Sequence, residues 1–134
     1  MSSISSKLRH WRDPATGSEG LTYWCQGCKS AHGIRTKGPG AWQWNGDVER
    51  PVFAPSVLTE GNELTEAGRA DCDAWHAAGC PPRNGQPLES RPVRCHTFVG
   101  CNGAQPGEVI FLGDCTHALA GTVQPLPDQP EWMR

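Results

Sequence analysis

The sequence lacks what a membrane or a nucleic acid would require. No apolar run approaches the roughly 20 residues of a membrane span. Basic residues do not dominate: Lys and Arg number 12 against 14 Asp and Glu, for a net charge of −2. A protein that releases counterions from DNA or RNA is normally basic, so neither a nucleic-acid partner nor a membrane is expected. Met1 to Arg12 contain no apolar stretch of the signal-peptide kind, which makes a cytoplasmic address the default expectation. Tyrosine occurs once and phenylalanine three times, while tryptophan occurs six times. Where aliphatic material is thin, tryptophan can supply the buried area. No internal repeat and no low-complexity tract breaks the chain.

Abundant instead are glycine, proline and cysteine, at 16, 12 and 7 of 134 residues. The length suits a single domain over 1–134. Its glycine and proline content forces many turns and disfavours long helices. Seven cysteines cannot all pair within one chain, and in a reducing compartment thiols this numerous usually bind metal or do chemistry.

The chain reads as a mainly β, small α+β domain: antiparallel β-hairpins in a zinc-ribbon-like arrangement, with one or two short helices. Residues 1–20 are polar and are expected to be a flexible N-terminal segment. Leu21–Cys25 and Gly33–Thr36 read as strands of a ribbon joined at Cys25-x-x-Cys28. Ala41–Asn45 alternates, with Trp42 and Trp44 on one face, and Asn45-Gly46-Asp47 is a turn signal. Arg50–Leu58 holds two prolines, which predicts an edge or irregular segment. Residues 59–92 read as a variable insertion, helical over Leu64–Ala78, with Asn62 or Thr65 as the cap. Arg94–Val99 and Glu108–Gly113 form a predicted hairpin, and Asp114–Gly121 a predicted short helix.

Cys25-x-x-Cys28 on a turn is half of a zinc knuckle. If Val99 faces Phe111, Cys95 lies opposite Cys115 and His96 opposite Asp114, on the two alternating faces. That register predicts one structural Zn2+ held by Cys25, Cys28, Cys95 and Cys115. His32 is either a histidine supporting the ligands or a ligand in place of Cys95 or Cys115. Cys72, Cys80 and Cys101 read as ordinary thiols. On the opposite face, a carboxylate beside an imidazole is the orienting pair of a hydrolase triad. Ser56, between Pro55 and Val57 in a segment whose backbone two prolines restrict, is the candidate nucleophile, with His96 or His117 as base and Asp114 as orienter. Backbone N–H groups opening the 116–120 helix are expected to face the oxyanion.

These motifs also occur together, and in this order, in one family. The segments are Cys25-x-x-Cys28-x-x-x-His32-Gly33-Ile34, Trp44-Asn45-Gly46-Asp47-x-Glu49-Arg50-Pro51, Phe53-x-Pro55-Ser56, Cys95-His96-Thr97-Phe98-Val99 and Phe111-Leu112-x-Asp114-Cys115-Thr116-His117-Ala118-Leu119-Ala120-Gly121. The chain resembles the BubE peptidases of bacterial ubiquitin-like conjugation operons, a family widespread in phage and prophage genomes, over nearly all of 21–128. The resemblance implies a serine-type peptidase that trims a ubiquitin-like protein's C-terminus or releases it from conjugates, in the cytoplasm of a bacterium or phage-infected host. The family usually has serine where this chain has Thr97, a departure that would matter if that position carried the nucleophile. Two other readings stay open. One is a metallohydrolase in which His96, His117 and Asp114 hold a catalytic zinc. The other is a non-catalytic zinc-ribbon binding module of phage origin, with Trp11 and Trp132 as contacts.

Overall fold

Alternation of apolar and polar side chains organises the first forty residues of the computed structural model, which describes residues 2–134. Strands β1 (Ser2–Ser3), β2 (Leu8–Arg12), β3 (Glu19–Cys25) and β4 (Ser30–Lys37) form a four-stranded antiparallel sheet in chain order. Leu21, Tyr23 and Cys25 of β3 turn inward, as do His32 and Ile34 of β4. Pairing of Tyr23 with His32 puts both on that inner face.

The segment 1–20, expected to be flexible, contributes two strands instead. Leu8 pairs with Tyr23 and is wholly buried. Trp11 pairs with Gly20, where an added Cβ would overlap the indole ring. Polar composition concealed this strand because a single inward leucine and one ring over a glycine suffice to anchor it.

The second sheet is β5 (Gln43–Trp44), β6 (Phe53–Leu64), β7 (Ser90–Val99), β8 (Glu108–Phe111) and β9 (Val123–Pro125), again in chain order. The proline-containing segment is therefore a twelve-residue strand with neighbours on both sides rather than an irregular edge. Pairing with the two-residue β5 ends at Gln43 and Ala54. From Pro55 onward β6 lies beyond that neighbour, where a missing N–H is tolerated.

In the β7–β8 hairpin Thr97 pairs with Phe111, Phe98 with Ile110 and Val99 with Val109. This is two residues away from the expected pairing of Val99 with Phe111. Gly100 N–H donates to the Glu108 carbonyl at 2.8 Å, closing the loop earlier than the sequence suggested. Because side chains alternate with period two, a two-residue slip leaves every residue on its expected face.

The predicted helix at Asp114–Gly121 is a run of turns. Its chain keeps close to β7 through Leu112 N–H to the His96 carbonyl and Thr116 N–H to the Arg94 carbonyl, both 2.9 Å. Tertiary pairing overrides the local helical signal. Helix α1 spans Glu66–Ala77, and the Thr65 hydroxyl caps it by accepting from Gly68 N–H at 3.1 Å.

The chain divides into two compact units, Met1–Thr59 with Arg94–Arg134, and Glu60–Val93. The smaller unit holds α1 and the ion pairs Arg83–Asp71 and Arg91–Glu63. In the larger unit both sheets feed one core. Leu8, Leu21, Tyr23 and Ile34 meet Phe53, Val57, Val99, Val109 and Phe111, and the Tyr23 ring stacks on Phe53 with centroids 5.8 Å apart. The tail closes on the head: Gln129 N–H donates to the Ser6 carbonyl at 2.8 Å, and the Lys7 ammonium donates to the Leu126 carbonyl at 3.0 Å.

Truncating a fully buried leucine costs about 2–5 kcal/mol. Leu8→Ala should lower the urea-unfolding free energy by that amount; a merely flexible N-terminus would leave it unchanged.

Candidate active site and metal centre

Strand β7 points successive side chains to opposite faces. His96 lies on the outer face and Cys95 on the inner. Around these two neighbours the molecule builds two different clusters.

On the outer face His96 Nε2 is 3.1 Å from Ser56 Oγ, and His96 Nδ1 is 3.3 Å from Asp114 Oδ2. A carboxylate at Nδ1 holds the proton there, which leaves Nε2 free to accept from the serine hydroxyl. Both distances are at the loose end of the hydrogen-bond range. Ser56 is steadied from behind, because its carbonyl accepts from the Trp42 indole N–H at 3.2 Å. Asp114 also faces the Arg94 guanidinium at 3.8 Å, an ion pair of two half-exposed groups that adds little by itself.

Beyond the end of β8, side chains replace the missing ladder. Cys115 Sγ receives the His96 N–H and approaches the His96 carbonyl, both at 3.3 Å. The Thr116 hydroxyl does the same for Arg94, accepting from its N–H at 3.0 Å and donating to its carbonyl at 3.3 Å. Asp114 is carried on this laced segment. The backbone donors expected to serve an oxyanion do not open a helix; Thr116 N–H is taken by the Arg94 carbonyl and Ala120 N–H by the His117 carbonyl.

Thr97 points inward. It is 2 % exposed, and its hydroxyl donates to the Val57 carbonyl at 3.5 Å, away from His96's face. His117 is not part of the outer cluster either. Its Nε2 lies 3.4 Å from Cys95 Sγ and its ring stands edge-on to Phe111. An added Cβ at Gly27 would overlap that ring, so the knuckle turn needs glycine there for His117 to cover it. His96, His117 and Asp114 are thus not gathered around one point, as a catalytic zinc would require.

The inner face holds the metal-capable groups. Cys25, Cys28, His32 and Cys95 bring one ligand atom each to within 4.8 Å of one another. This set is the alternative the sequence left open, with His32 in place of Cys115 of the four-thiolate set, and Cys115 groups with Cys95 and His117. Cys115 is held by the His96 backbone, whereas β4's alternation turns His32 inward beside Tyr23. The strand parity of His32 with Ile34 carried that signal in the sequence. Among the described residues, Cys72, Cys80 and Cys101 join no such cluster.

The four residues fit a metal ion. Cys25 and Cys95 Sγ are 3.8 Å apart, and two thiolates on a tetrahedral zinc with bonds near 2.3 Å are separated by about 3.8 Å. His32 Nε2 is buried without a hydrogen-bond partner, a costly state unless an ion occupies that lone pair. The thiols also resist ionising together. The hydrogen bond from Cys95 pushes the Cys25 thiol down to about 3. Cys95 is driven well above the thiol range by that same hydrogen bond, then by burial. Burial, followed by the Cys25 charge, pushes Cys28 up to about 11. A divalent cation would relieve this crowding and ionise all three.

Trp11 is committed to packing over Gly20, while Trp132 is 78 % exposed and edge-on to Trp24. Among the described residues, no helix is long and apolar enough to cross a membrane.

A family model described as bacterial ubiquitination-like system serine protease (BubE) matches residues 3–106. The chain belongs to the BubE family. The BubE match spans Ser56, His96 and all four residues of the metal-capable cluster, and ends before Asp114 and Cys115. No curated protein and no solved structure matches the chain.

Cobalt(II) added to the metal-free protein should develop thiolate-to-metal absorption at one equivalent. The band should vanish in Cys28→Ser and Cys95→Ser, weaken or shift in His32→Ala, and persist in Cys115→Ser. A band lost in Cys115→Ser but unchanged in His32→Ala would restore the four-thiolate set.

Proposed function

We propose that the protein is a serine peptidase acting on a protein substrate of a bacterial ubiquitin-like system, trimming a C-terminus or releasing a conjugate. The observation that carries this is His96 bridging Ser56 Oγ and Asp114 in a chain of the BubE family. Ser56 Oγ attacks the substrate's acyl carbon while His96 Nε2 takes the hydroxyl proton. The His96 imidazolium, stabilised by Asp114, then protonates the leaving amine. Water, activated by the same histidine, releases the acyl group from Ser56. Thr97 serves as a buried strand residue in this scheme, so its difference from the family's usual serine leaves the nucleophile in place. The setting is the cytoplasm of a bacterium or of a phage-infected cell.

Cys25, Cys28, His32 and Cys95 would hold one Zn2+. Three thiolates and an imidazole complete a tetrahedral shell, and a shell closed by protein ligands is structural. Bound there, the ion would tie the knuckle of the first sheet to β7 and supply no open position for water.

Fluorophosphonate labelling read by intact mass tests the nucleophile. A single adduct on the wild type, absent in Ser56→Ala and slowed at least about a hundredfold in His96→Ala, is expected. No adduct on folded, metal-loaded protein would remove the serine mechanism. Asp114→Asn should retain the fold and lower kcat by about 10^2–10^4. A chelator should reduce activity only in step with the loss of near-UV circular dichroism. Activity lost while that signal persists would mean a catalytic metal.

A further inference from the structure

The face that carries Ser56 and His96 is apolar well beyond them. Phe98 follows His96 by two residues on β7, and its ring centroid lies 6.5 Å from the imidazole. Phe98 pairs with Ile110 on β8, and Ile110 pairs with Val123 on β9. The three form a row across three strands, one pleat away from His96. Leu58 follows Ser56 by two residues on β6. Leu58 is 50 % exposed and Val123 53 %. None of the four belongs to the core cluster or to the half-buried hydrophobics packed against it. Their apolar area is therefore not explained by the core, and an aligned patch differs from a lone exposed leucine.

A substrate whose carbonyl carbon reaches Ser56 Oγ must lie on this face. Strands are spaced about 4.8 Å, so β6 to β9 spans about 14 Å, which an extended chain crosses in about four residues. We infer that the site takes an extended polypeptide with bulky apolar side chains within about four residues of the cleaved bond, selected by the row Phe98, Ile110 and Val123. This rests on Ser56 being the nucleophile.

The test is cleavage-site profiling of a mixed peptide library by the metal-loaded wild type, with Ser56→Ala as the blank and fluorophosphonate labelling run in parallel. Leu, Ile, Val or Phe should be enriched within four residues of the cut, on one side. Phe98→Ala and the surface change Val123→Thr should flatten that enrichment. Each should raise KM for a matching apolar peptide about tenfold or more, with a smaller change in kcat, in line with the 10–200-fold value of small apolar pocket contacts. Ile4→Ser, an exposed position on β1's side of the chain, should leave the profile intact. If Ser56 labels but peptides are cut without apolar preference, or not cut at all, this inference is overturned and the nucleophile stands. If Ser56 does not label, both fall.

Discussion

The alternation of β7 is the constraint on which the rest depends. Cys95 and His96 are adjacent, so one backbone fixes a metal-capable thiol on one face and an imidazole on the other. Any rotation of that strand would move both clusters at once. The core between the sheets, built on Tyr23, Phe53 and Phe111, sets how deep Cys95 sits. Ser56 answers on the outer face from β6, with the Trp42 indole holding its carbonyl. A small domain with few aliphatic residues thus gains rigidity from polar and sulfur contacts where a larger one would use packing alone.

The segment after β8 illustrates how irregular chain can be positioned with strand-like accuracy. Cys115 and Thr116 each offer one side-chain atom to both the N–H and the carbonyl of a β7 residue. Asp114 inherits its place from that lacing, not from a helix cap. The same thiol that touches His96's backbone also lies among Cys95 and His117. The outer and inner clusters are therefore joined through the strand and again through this neighbouring segment.

Much of this was legible in the residues, for identifiable reasons. His96 and Asp114 could be brought together on paper because the face of a strand residue depends only on parity, and parity survived a two-residue error in the hairpin, while Ser56 was added from its proline-restricted segment. Parity also kept Cys115 beside Cys95, and its grouping there with His117 apart from Cys25, Cys28 and His32 is a matter of distance that parity does not carry. His32 was left between a supporting and a ligating role, and its alternation with Ile34, which turns it inward, is what separates the two. The helical reading of 114–121 failed because capping residues and alanines score a local tendency, while here the side chains of Cys115 and Thr116 are engaged by β7. The N-terminal strands escaped notice because pairing with β3, more than their own composition, makes them strands. Helix α1 was readable because its alanines and the Thr65 cap act locally.

The closure of residues 126–129 on Ser6 and Lys7 bears on the order in which the structure can form. Ser6 and Lys7 are bonded by residues 126–129, at sequence separations of about 120. Asp114 also comes late in the chain, long after Ser56 has been made. A ribosome delivers residues in order, and a contact between an early and a late residue cannot form until the later one is free. Chains dominated by such distant contacts also fold slowly. Neither the Ser56–His96–Asp114 contacts nor the closure of residues 126–129 on Ser6 and Lys7 can therefore form until those later residues have left the ribosome, so the earlier strands must wait for them.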